Sequence, residues 1–239
     1  MPGDLPAHSR WLPNSVGAAG VVVVIAVFVV PVGVIAVASG AGFVKLPYGL
    51  YLVTQRLPVV FSIHMIASGL AMLLIPIVIT LRRQCGWHKA LGRLAAGLVC
   101  VGGLTALPVA LSSEASLAAR AGFFVQGIVW VTLIGAGICA IRQRQIERHT
   151  RFMLAVAAVT SGAIWLRLAT VAAVQLDLPF ESVYALAAWA SWLVPLVVVT
   201  WCKRFAVRFG YQAASFQADG HDIGNGMRRS DPRAKTLPV

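Results

Sequence analysis

Six apolar runs, each close to the length that crosses a bilayer, constrain this chain more than any other feature. They are roughly Val16–Val37, Pro58–Leu81, Ala90–Leu111, Ala121–Ile141, Phe152–Val174 and Val183–Trp201. A hydrocarbon layer of ~30 Å is crossed by ~20 residues of helix. Runs this long and unalternating do not suit barrel strands, and backbone groups in lipid need partners within their own segment, which leaves helix. The sequence therefore predicts an all-α, polytopic transmembrane helix bundle of six helices. Residues 1–15 form a cytoplasmic N-terminal segment, 16–202 the membrane domain, and 203–239 a basic, partly disordered cytoplasmic tail. Composition agrees: 59% of the 239 residues are hydrophobic and 12% charged, against about 45–50% and about 25% in soluble domains. A soluble chain of this length has no core large enough to hide that surface.

The first run resembles a secretion signal, and Ala36-Val37-Ala38 a cleavage site. It is longer than the ~7–15 apolar residues of such signals, so a retained helix bent at Pro31 is expected. Between the first two runs, Ser39–Leu57 carries Phe43, Tyr48, Leu50 and Tyr51 among glycines and Pro47, a composition suited to the outer interface.

The net charge of +12 sits between and after the apolar runs. That placement signals membrane orientation and not nucleic-acid binding. With both ends on one side, 16 of the 20 Lys and Arg fall there and three fall opposite; the last, Arg167, lies inside a run. The positive-inside rule then puts both termini in the cytoplasm of a cell whose inner membrane holds the chain. The tail opens Lys203-Arg204-Phe205 and continues through Arg208, Phe209 and Tyr211. This basic-aromatic patch is expected to rest on anionic lipid.

No hydrolase elbow, phosphate loop, zinc signature or dinucleotide fingerprint is present, so no catalytic motif is identified. The four cysteines, Cys85, Cys100, Cys139 and Cys202, have no metal or disulfide spacing and read as reduced packing residues. What remains is polar residues inside the membrane, which are expensive and so are functional candidates. Arg167 lies in the outer half of the fifth run. It either snorkels outward or faces a cavity, ligand or partner. His64 in the second run and Gln126 in the fourth fall at similar depth, with Tyr184 and Glu181 above them. Together these define a candidate ligand site or buried polar layer, against the plainer reading of hydrogen-bonded packing residues.

His88 and His149 begin the third and fifth runs at the cytoplasmic face, each with basic neighbours. An interfacial flank with no ligand is the plain reading. Against it, His88, Gly92, Ala96, Cys100 and Gly103 share one helical face, and small residues there admit a close helix or a flat ligand. His149 to Arg167 is 18 residues, five helical turns, and His64 to Arg82 is also 18. An inverted repeat of three plus three helices would produce that spacing, as would coincidence.

These residues resemble a bacterial family of predicted membrane proteins described as domain of unknown function 2306. The pattern is an early intramembrane His (His64), then His88-Lys89-Ala90-Leu91-Gly92-Arg93, then His149-Thr150-Arg151-Phe152-Met153, then Leu166-Arg167-Leu168. Lys89, Thr150 and Phe152 depart from it, as does Leu154-Ala155-Val156, where the family tends to carry Arg-Ser-Tyr. The resemblance implies an architecture and candidate residues but no reaction. A weaker likeness is to four-helix-core b-type cytochromes, which carry haem-ligating His on four successive helices; here the fourth run has none.

Three functional classes stay open: a haem- or quinone-linked redox protein, a transporter or small-ligand binder around His64 and Arg167, and a membrane scaffold or assembly factor without chemistry. For b-type haem, the ligand set is His88 and His149, with Arg93 or Arg151 pairing the propionates. No other metal is expected. The topology is testable by cysteine accessibility in intact cells, in a cysteine-free background. An impermeant reagent should label a cysteine placed near Asp177 and spare one at Gln145; equal labelling of both would overturn the orientation.

Overall fold

A computed structural model describes residues 23–201. The N-terminal segment, the start of the first apolar run and the basic tail with its lipid-binding patch lie outside the described residues. Within them there are seven α-helices and no strand. They are α1 (Val30–Gly40), α2 (Tyr48–Arg56), α3 (Pro58–Thr80), α4 (Cys85–Leu111), α5 (Leu117–Arg142), α6 (Ile146–Gln175) and α7 (Phe180–Trp201). A polytopic helical membrane bundle is what these elements make. Five segments are long and apolar enough to cross a membrane: Pro58–Arg83, Gly86–Leu111, α5, α6 and α7. The described part of the first run is a shorter apolar helix, Val27–Gly40.

The helices outrun the apolar runs, most of all α6, which starts at Ile146 instead of Phe152. Its first turn, Ile-Glu-Arg-His, is polar but helix-competent, and Arg151 pairs with Glu147 one turn back. The break expected at Pro31 takes the form of a π-helical turn, Ile25–Val29, just before it. Proline has no N–H to give the preceding turn, and widening that turn relieves its ring's clash.

Local chemistry sets the helix ends. Pro58 occupies the first turn of α3, where its missing N–H is no loss. Ser116 caps α5, its hydroxyl accepting from Ala119 N. Three helices close in the same way, with one residue in the left-handed region: Gly42 after α1, Arg144 after α5, Asp177 after α6. In each, the next residue's N–H reaches back five residues, Phe43 to Ala38 O, Gln145 to Ala140 O and Leu178 to Ala173 O, all at 2.9 Å. After α1 and α5 a second bond accompanies it, Gly42 N–H to Ser39 O and Arg144 N–H to Ile141 O, and these caps satisfy end carbonyls that lipid would leave bare.

The chain divides into two units, residues 1–105 and 106–239, with the division inside α4. In the first, α1 packs on α3 through glycines. A Cβ on Gly69 would stand 2.8 Å from Gly33 O and 2.9 Å from Val37 Cγ2, and one on Gly40 would stand 2.8 Å from Ser62 O. The two backbones touch there, a contact suited to membranes, where packing and not water expulsion drives association. Phe61, Ala67, Ala71 and Met72 of α3 are buried. The second unit is α5, α6 and α7 with the end of α4. Its buried residues include Trp130, Val159, Ala188 and Trp192. Large side chains such as Val101, Leu104, Val171, Leu186 and Val194 are exposed along the spans, as a lipid-facing surface requires.

The glycine contact gives a direct test. Gly69→Val should destabilise the protein by about 1–3 kcal/mol, because helix backbone cannot move aside as a side chain can. Gly97→Ala, with open space around its Cβ, should be neutral or stabilising. Thermal unfolding in mild detergent measures both.

Candidate functional site

Polar side chains in a span first seek the backbone of their own helix. Thr80, Thr105, Thr132, Thr150, Thr160 and Thr200 all donate to a carbonyl three or four residues earlier. Three histidines and one glutamine behave differently, and they are among the residues the sequence singles out. Each reaches the backbone of a neighbouring helix.

In the first unit, His64 of α3 donates Nδ1–H to Gly102 O of α4 at 2.9 Å. His88 in the first turn of α4 donates Nδ1–H to Val78 O of α3 at 3.0 Å. The α3–α4 hairpin is thus pinned at both ends. In the second unit, Gln126 of α5 donates Nε2–H to Val159 O of α6 at 3.3 Å. His149 in the first turn of α6 donates Nδ1–H to Gly137 O of α5 at 2.9 Å. The α5–α6 hairpin is pinned in the same pattern.

In both hairpins the first helix supplies the side chain at one end and the second helix supplies a histidine at the other. His88 and His149 are 61 residues apart, His64 and Gln126 62 apart. The register of the pins differs between the hairpins: His64 to Gly102 spans 38 residues and Gln126 to Val159 spans 33, while His88 to Val78 spans 10 and His149 to Gly137 spans 12.

The bonds also fix the imidazole tautomer. A carbonyl oxygen only accepts, so each Nδ1 carries the proton. The lone pair of a neutral ring then sits on Nε2, outside that bond and available to a metal or a proton donor.

The remaining candidates fall into place around these. Arg93 is exposed. Arg151 is exposed and already hydrogen-bonded to Glu147, so a propionate would have to displace that carboxylate. Along the small-residue face of α4, a Cβ on Gly92 would lie 3.8 Å from Val78 Cγ1; at that end the stripe faces α3.

Arg167 is half-buried on α6, and its Nη1 lies 3.5 Å from Ala163 O. Gln126 Nε2 stands beside Gly162, 3.0 Å from where a Cβ would be, with Trp192 Cβ equally close. The Gln126 amide and the Arg167 guanidinium therefore reach neighbouring turns of α6 within the second unit. Tyr184 of α7 is an electrostatic neighbour of Arg167. Its ring meets Phe123 edge-on at 5.6 Å and stacks on Phe180 at 5.7 Å. His64 belongs to the first unit. Among the described residues no cluster of three or more His, Cys, Asp or Glu is placed to hold a metal ion.

Spans, caps and pinned hairpins define a polytopic helical membrane protein. Residues 61–202 match the family model described as "Predicted membrane protein (DUF2306)", and the chain belongs to that family. No curated protein and no solved structure matches it, and nothing in the comparisons supports the weaker likeness to b-type cytochromes.

The pins can be weighed. Replacing His64, His88 or His149 singly with Ala should lower stability by about 0.5–1.5 kcal/mol, the range for one interhelical hydrogen bond in a membrane. Denaturant unfolding in mixed micelles would read it, and a loss far above that range would give the ring a larger packing role.

Proposed function

We propose that this protein is a redox membrane protein in which His88 and His149 each offer Nε2 to a b-type haem or a quinol. The observation that carries the reading is their equivalence. They occupy matching first-turn positions of two hairpins, and each is held by the same Nδ1–H bond to a carbonyl of the preceding helix. A backbone carbonyl behind the ring is the usual support of a metal-bound histidine, because it fixes the tautomer and raises the basicity of Nε2. An unprotonated Nε2 also suits a quinol, which donates O–H, better than a quinone, which only accepts. Haem would supply one-electron chemistry at such nitrogens. Arg93 is the cation available to a propionate; Arg151 joins it if its Glu147 bond opens. Gln126, not a histidine, pins the end of the second hairpin that His64 pins in the first, which argues against a second bis-histidine site at that level. By the positive-inside rule, the Lys and Arg beside each histidine favour the cytoplasmic side of an inner membrane for its first turn. The basic tail then meets anionic lipid of the same leaflet.

The visible spectrum of protein purified in mild detergent, with and without dithionite, tests the haem reading. A reduced b-type spectrum at near-stoichiometric haem is expected. His88→Ala and His149→Ala should each lower haem per protein while staying folded, since each removes only one hydrogen bond. A parent without haem that also fails to bind a quinol analogue would overturn the proposal.

A further inference from the structure

Arg167 lies where a membrane protein has least use for an unpaired cation. α6 is 30 residues long, about 45 Å, so it extends beyond a ~30 Å hydrocarbon layer. The Arg167 head does not rise toward the nearer helix end. It turns back one turn, to Ala163 O, as long helical side chains do. Ala163 is 12 residues from the end of α6 and 17 from its start, about 18 Å and about 26 Å along the axis. The guanidinium thus points into the hydrocarbon layer, away from the surface that snorkelling would seek.

Its company is neutral. Ala163 O is a long contact at 3.5 Å, and Tyr184 is a phenol. In the spans of the second unit, the acidic residues Glu147 and Glu181 both lie in a first helical turn. Glu181 sits at the α7 end from which the guanidinium turns away. The polar groups near that level are rich in donors, with five guanidinium N–H, the Tyr184 hydroxyl and a second Gln126 N–H beside the one given to Val159 O; the acceptors beside them, Gln126 Oε1 and the phenol oxygen, are neutral. Phe123, Tyr184 and Phe180 add an aromatic wall.

We propose that Arg167 is the anchor of a binding site for an organic carboxylate with an apolar or aromatic body. Guanidinium and carboxylate match in charge and in their paired geometry, and the pairing strengthens as water is excluded. The aromatic rings take the body of the ligand. The carboxylate can come from the bilayer, as a fatty acid, or from water, as a small aromatic acid.

The test is equilibrium binding of radiolabelled oleate and, separately, benzoate to the full chain in dodecyl maltoside, with methyl oleate as the uncharged competitor. Saturable binding of either acid is expected, without displacement by the ester. Oleate alone assigns the source to the bilayer, and benzoate to water. Arg167→Gln should weaken binding about tenfold or more, and Arg167→Lys should keep part of it, as a charge without the fork geometry. Competition by the ester as strong as by oleate itself, unchanged binding in a folded Arg167→Gln variant, or no saturable binding of either acid would overturn the proposal. If Arg167→Gln does not elute as a single species, the ester comparison in the parent and the Arg167→Lys variant decide.

Discussion

The scarcity of hydrogen-bond partners in lipid governs this structure. Every backbone N–H in a span is committed to its own helix, but each helical carbonyl keeps a second lone pair. Carbonyls are therefore the abundant acceptor, and side chains that donate are the ones the spans can hold cheaply. Threonines donate to the carbonyl of the preceding turn, and one of them, Thr160, also accepts from Trp130 Nε1 of α5 at 3.0 Å and so joins α6 to α5. His64, His88, Gln126 and His149 use a carbonyl on another helix and so join two spans at a defined register. Each is a modest interaction, about 1 kcal/mol, yet two on α3–α4 and, with Trp130–Thr160, three on α5–α6 restrain the sliding and rotation of one helix on the other.

Much of the fold was legible in the sequence. The last five apolar runs are spans, because length and hydropathy are set by the bilayer and not by tertiary detail. Their edges were less legible: Ile146–Arg151 reads as a polar loop by hydropathy but as helix by propensity and by its Glu147–Arg151 pair. The glycines at 33, 40 and 69 carried no visible pattern, since their spacing makes sense only once α1 lies against α3. At the site, the residue types were legible and their use was not. Hydropathy marks Arg167 as anomalous, but only the guanidinium's contact with Ala163 O separates an inward head from a snorkelling one. The carbonyls that the rings find were not legible either, because helix period alone does not say which acceptor on a neighbouring helix a side chain will reach.

The polar residues that pin the two hairpins are not equivalent. His64 and Gln126 make matching bonds, but their remaining chemistry differs. A neutral histidine with Nδ1–H engaged presents a lone pair on Nε2; a glutamine amide with one N–H engaged presents another N–H and a carbonyl. The first unit thus keeps a basic acceptor at its His64 level, while the second holds donors at the corresponding level, with the Arg167 guanidinium a turn away.

That difference bears on how the two proposed sites relate. At the first turns of α4 and α6 both hairpins carry a histidine whose Nδ1–H is held by the preceding helix. Toward the other end they differ, His64 against Gln126, and the second unit has Arg167 there with aromatic rings that α7 supplies. A site at the first turns would use a feature that both hairpins share. A site beside Arg167 would be built where a third helix, α7, packs against a hairpin: Tyr184 stands near the guanidinium, while Trp192 lies about two turns further along α7, against Gly162.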